Sequence, residues 1–187
     1  MDSDPSARNG HPSPKTAELP PIVEHSKRQF DELQRLVHAL TAEQYRKPAA
    51  VLSNANIGQH MRHVLEFYLC ILNAEHNTVD YDARKRDKAL ETDRVAVLGT
   101  LDALKAWMES LSDDADMSMM VDHSTDGSGS TRMRTSLFRE LAYAFDHGIH
   151  HLALLRIAVE QEHRTVQLHP DFGVAPSTIR DRRKQNA

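Results

Sequence analysis

Asp146-His147-Gly148-Ile149-His150-His151 is the stretch on which the reading of this chain turns. It lies inside an apolar-periodic segment, Ser136 to about Glu162, whose spacing predicts one long helix. Positions four apart stack on one face of a helix, so His147 and His151 point the same way, one turn apart. Two imidazoles at that spacing make half of a metal site. The plainer alternative is that one of the three clustered histidines caps or packs against a neighbour. A metal site requires a third ligand from elsewhere in the chain.

Length and composition set the frame for that search. The chain has 187 residues, enough for one domain with a sizeable core plus tails. Its 40% hydrophobic and 27% charged content fit a soluble globular protein. Glycine and proline are sparse, and the prolines crowd toward the ends, which favours long helices in the middle. The net charge of -4 argues against nucleic acid as a partner. The one basic cluster, Arg180-Asp181-Arg182-Arg183-Lys184, reads as a solvated end. A single cysteine, Cys70, excludes an intrachain disulfide and fits a reducing compartment. Residues 1–14 lack the apolar core of a signal peptide, and no run of about 18 apolar residues marks a membrane span. A cytoplasmic protein with no membrane association is therefore expected. The count of 12 histidines is high for the length and directs attention to where they fall.

Residues 1–17 read as a disordered leader, 18–165 as the folded domain and 166–187 as an extended C-terminal tail. Ile22, Val23, Phe30, Leu33, Leu36, Val37 and Leu40 recur at helical spacing and predict a first helix over about 21–40. Thr41 to Tyr45 reads as a capped extra turn, stopped by Pro48. Ser53-Asn54-Ala55-Asn56 offers N-caps for a second helix, Ile57 to about Glu75. The connection over 76–90 is charged, leaves room for one short helix, and is long enough to suggest a functional role. A third helix is expected from about Glu91 to Leu111, with Glu91 and Asp93 complementing its dipole. Met117 to His123 and Thr131 to Thr135, around Asp126-Gly127-Ser128-Gly129, read as a small β-hairpin or a plain loop. Ser136 caps the fourth helix, with Glu140 as a capping-box partner, and Pro176 starts a short last helix.

Four long amphipathic helices predict an all-α four-helix bundle, and bundle interiors commonly hold metal sites built from facing helices. The fourth helix supplies His147 and His151; the second offers His60 or His63 as the third ligand. Ile57-Gly58-Gln59-His60-Met61-Arg62-His63-Val64 together with Asp146-His147-Gly148-Ile149-His150-His151 resembles the DinB-like family over roughly Ile22 to Glu162. The resemblance implies a four-helix bundle with a three-histidine metal site, whose ligands fall on His63, His147 and His151. His60 is the rival of His63, and His150 of His151. The chain departs from the commoner family pattern after the pair, carrying Leu152-Ala153-Leu154 where many relatives have Arg-Gly-Gln.

Three imidazoles suit zinc, nickel or iron(II). Glu66 and Asp146 are candidates to orient a ligating imidazole, the alternative being solvated acids. Tyr143, one turn before His147, lines the site or fills the core. Tyr81 and Arg84 lie in the long connection; Arg84 reads as a clamp for an anionic substrate or as an ordinary surface arginine. Cys70 reads as a small buried hydrophobe. No G-x-S-x-G, phosphate-binding glycine loop or C-x-x-C occurs. The resemblance further implies a metal-dependent enzyme in which an activated water or thiol serves hydrolysis or thiol transfer on a small molecule, as a hydrolase or transferase. A non-catalytic, stress-related metal-binding protein is the alternative. It also implies a homodimer.

Overall fold

The computed structural model describes residues 19–186; the expected leader lies outside them. The chain is mostly helical with a small three-stranded sheet. The elements in order are α1 (Pro21–Ala39), α2 (Ala42–Arg46), a 3-10 turn (Ala50–Leu52), α3 (Ile57–Leu72), β1 (Thr78–Asp80), α4 (Lys88–Thr92), α5 (Arg94–Glu109), β2 (Asp116–Val121), β3 (Thr131–Ser136), α6 (Leu137–Glu162) and α7 (Pro176–Gln185). No helix among the described residues is long and apolar enough to cross a membrane.

Local chemistry sets most of these boundaries. Proline occupies the start of α1, where its missing N–H costs nothing. Thr41 and Gln44 close a capping box at α2, and Asn56 and Gln59 close another at α3. Asn56 is therefore the cap among the four residues that offered one, while Ser53 and Asn54 turn through the left-handed region ahead of it. Ser136 caps α6 by accepting from the Arg139 N–H. No capping box forms there: Arg139 stands at N3, and Glu140, one position later, is fully buried and turned to other partners.

The four longest helices pack in a ring, α1 on α5 and α6 and α3 on the same two. Phe30, Leu33, Met61, Leu65, Tyr68, Leu101 and Leu104 fill the space between them. Phe30 meets Tyr68 edge-on at 4.6 Å. The Tyr68 hydroxyl donates to Gln29 Oε1 at 2.9 Å, and Gln29 Nε2 donates to the Phe145 carbonyl at 3.1 Å. That relay ties α3, α1 and α6 together through a buried amide.

The connection after α3 differs from the expectation. It holds a strand as well as a short helix: β1 pairs parallel to β2 with Val79 opposite Met119, and β2 pairs antiparallel to β3 with Met119 opposite Met133. The β2–β3 pair is the expected hairpin. Glu91 does not begin the third long helix. It sits buried in α4, while Asp93 caps α5 by accepting from the Val95 N–H. Residues after α6 pack in part against the helices: Phe172 is buried in the core, and Gly173, at φ +67°, lies where a Cβ would meet the Leu152 and Ala153 backbone at 2.6 Å.

Candidate metal centre

α3 and α6 lie side by side, and their facing turns bring His63 together with His147 and His151. Nitrogens of the three imidazoles all lie within 4.8 Å of one another. His63 Nε2 and His147 Nε2 are 2.9 Å apart, and the three ring centroids are separated by 4.6 to 5.0 Å. His147 and His151 achieve this through the one-turn spacing on α6, and His63 through the packing of α3 against it. The two rivals fall outside this group. His60, one turn before His63, places Nδ1 2.9 Å from Nδ1 of His151. His150 is exposed, and its ring stands edge-on to that of His151 at 5.5 Å.

The electrostatics favour neutral imidazoles. Burial pushes His63 down to about 4, with further depression from His147 and Arg84. Burial also takes His151 to about 3, reinforced by His63 and His147. His147 and His60 are lowered for the same first reason. At neutral pH every ring in the cluster therefore offers a lone pair, as a metal ligand must. Three half-buried neutral nitrogen donors converging on one point suit a divalent transition ion.

Aromatic rings wall one side. Phe67, four residues after His63 on the same face of α3, stacks on His147 at 4.1 Å and on Tyr81 at 4.8 Å. Tyr143 is 40% exposed, with its ring 6.1 Å from His147 and beneath the Arg139 guanidinium, so it does not fill the core. Tyr81 is buried and donates its hydroxyl to Glu140 Oε2 at 2.6 Å. Burial and that carboxylate raise the phenol far above its ordinary value, so it stays protonated. Arg84 lies over Phe67 with its guanidinium carbon 5.2 Å from the ring centroid. Both residues of the connection thus stand at the cluster's flank.

Other candidate residues serve elsewhere. Glu66 orients no imidazole: its Oε1 accepts from the Asp87 N–H at 2.7 Å, and its Oε2 faces Arg62 and Arg84 at 3.6 and 4.0 Å. Asp146 is exposed on the outer side of α6. Burial pushes the Cys70 thiol up to about 11, so it is protonated at neutral pH and reacts only slowly, as its small thiolate fraction grows on the alkaline side. From the sequence, Phe67 has no role at the site and Glu140 only a helix-cap role. The i,i+4 relation of Phe67 to His63 was the available signal; the pairing of Glu140 with Tyr81 had none, because the two lie 59 residues apart.

Comparison with curated proteins and with solved structures returns no match. The sequence profile described as the DinB family matches residues 14–162, most of the chain and the whole of the three-histidine cluster, and the chain belongs to that family.

Proposed function

We propose that His63, His147 and His151 hold a divalent metal ion, zinc, nickel or iron, inside a four-helix bundle of the DinB-like type, and that the protein is a metal-dependent enzyme. The observation that carries this reading is the convergence of three neutral imidazoles from two helices. Such an ion, when bound, supplies Lewis acidity that lowers the pKa of a water or a thiol for hydrolysis or thiol transfer. The chain's own contribution is positional. Phe67, Tyr81 and Tyr143 keep water from one side of the cluster and give a small-molecule substrate an apolar surface. Arg84 presents a cation beside that surface. A homodimer in the cytoplasm completes the reading, on the strength of the family and of a lone cysteine suited to a reducing compartment.

A non-catalytic metal-binding bundle is the second reading, and one observation favours it. The two buried carboxylates flanking the aromatic wall, Glu66 and Glu140, are both engaged in structural contacts, so neither is free to act as a general base.

Elemental analysis of protein purified without chelators or an affinity tag tests the metal. Wild type is expected to carry a stoichiometric transition metal, and His63→Ala and His151→Ala to lose it while keeping the helical circular dichroism of wild type. Metal-free wild type that binds no added zinc, nickel or iron(II) sinks both readings. With metal present, turnover on a panel of thiol substrates and hydrolysable esters and amides separates the enzyme from the binding protein.

A further inference from the structure

Further along α3, beyond the imidazoles, the chain encloses a second space. A cavity of about 850 Å³ opens between the C-terminal half of α3, the connection that carries β1, and the sheet. That volume falls in the range of small-molecule sites. Its apolar lining comes from Leu69 and Cys70 on α3 and Met120 on β2. Arg84 from the connection and Arg132 from β3 add two guanidinium groups.

The charges around this cavity are unequal in what they have left to offer. Most of its carboxylate groups already have partners. Glu66 accepts from the Asp87 N–H and faces Arg62 and Arg84. Asp80 accepts from the Asp82 and Ala83 N–H groups, and Asp87 from Lys85 and the Ala89 N–H. Glu75, exposed to solvent, and Glu66 Oε2, which accepts no hydrogen bond, stand outside that pattern. The guanidinium groups are in the opposite position. Each carries five N–H donors. Arg132 spends one on Thr78 Oγ1 at 3.2 Å and forms no ion pair among the described residues. Arg84 gives one to the Tyr81 carbonyl, and its buried Nε faces Glu66 Oε2 at 4.0 Å without a hydrogen bond. The remaining Nη donors of both guanidinium groups, with Arg132 outside any ion pair among the described residues, suit an anion.

We propose that this cavity is a binding site for a small organic anion with an apolar body, an aliphatic carboxylate in the simplest form. Its anionic group meets Arg84 and Arg132, and its chain lies over Leu69, Cys70 and Met120. None of the three clustered imidazoles lines the cavity, so the assignment stands apart from the metal reading and is tested on metal-free protein. The two sites are nevertheless neighbours. Arg84 rests on Phe67, and Phe67 stacks on His147.

Cys70 makes the test direct, because it is the chain's one cysteine and it lines the cavity. The rate of its alkylation by N-ethylmaleimide at mildly alkaline pH is measured in the presence of straight-chain carboxylates from butyrate to octanoate. Alcohols and alkylammonium ions of the same lengths serve as matched probes. At a carboxylate concentration about four times its Kd, labelling is expected to slow about five-fold, the factor 1 + [L]/Kd. The alcohols and ammonium ions are expected to slow it less than about two-fold at the same concentration. Arg132→Met, on an exposed strand position, and Arg84→Met are expected to abolish the carboxylate effect. Equal protection by all three series means an uncharged crevice, and stronger protection by the ammonium ions means an acidic one; either overturns the proposal. So does protection that survives Arg132→Met, or no protection by any carboxylate.

Discussion

Gly148→Ala puts the packing of α6 against α1 to a test whose sign is contested. Gly148 lies in the interior of α6, between the site residues His147 and His151. Helix propensity alone makes alanine there more stable by about 1 kcal/mol. The structure opposes it, because a Cβ at this position meets the side-chain amide of Gln29, with Cδ and Nε2 both at 2.8 Å. Gln29 is the buried end of a relay: it accepts from the Tyr68 hydroxyl and donates to the Phe145 carbonyl. Moving it leaves buried polar groups without partners, at about 1–3 kcal/mol each. Two such losses outweigh the propensity gain and leave a net destabilisation of about 1–5 kcal/mol. For a chain of this size that lowers Tm by about 2–20 °C. Gly99→Ala supplies the control. Gly99 is likewise inside a helix, but nothing lies within 4 Å of its added Cβ. It is expected to raise stability by about 1 kcal/mol. Urea and thermal denaturation followed by circular dichroism measure both. In a Gln29→Ala background, adding Gly148→Ala is expected to cost nothing. A Gly148→Ala protein as stable as Gly99→Ala would refute the reasoning, since the amide would then have moved aside freely.

Gly58→Ala is expected to destabilise more than Gly148→Ala in the same melts, because its Cβ would collide with the Glu91 backbone carbonyl, which cannot rotate away as a side chain can. Tyr81→Phe deletes the hydroxyl that donates to buried Glu140, and a loss of about 1–3 kcal/mol is expected by urea titration; an unchanged midpoint would show that Arg139 and Thr135 suffice for the carboxylate. The metal-free protein is expected to lose stability on acidification. His63 and His151 titrate near 6.5 when unfolded but only at about 4 and about 3 when folded, so between those values the unfolded state binds more protons. Stability therefore falls as pH drops from about 6.5 toward 4, and His151→Gln should flatten that slope in Tm against pH; an equal slope in the variant places the titration elsewhere.

Much of this architecture is legible in the residue pattern. The apolar spacing of Val23, Phe30, Leu33, Leu36 and Val37 marks α1, and Val64, Leu65, Tyr68 and Ile71 mark α3, because each helix buries one stripe and repeats it at its own period. Caps are local as well, so Asn56 and Ser136 stand where short-range hydrogen bonding places them. β1 was not legible. Three residues carry too little periodicity to announce a strand, and its partner β2 lies about 40 positions away.

The cluster divides along the same line. By itself the sequence determined that His147 and His151 share a face, because four residues on a helix is a covalent distance. It also narrowed the third member to His60 or His63, one turn apart on the same helix. Only the tertiary structure decided between them: the rotation of α3 against α6 brings His63 Nε2 to His147 and leaves His60 touching His151 alone. The same packing gave Tyr81 to Glu140, Glu66 to the connection after α3, and Gln29 to Gly148. Those pairings join segments 21 to 119 residues apart, where no local periodicity reaches and the fit of one helix surface on another decides which groups meet.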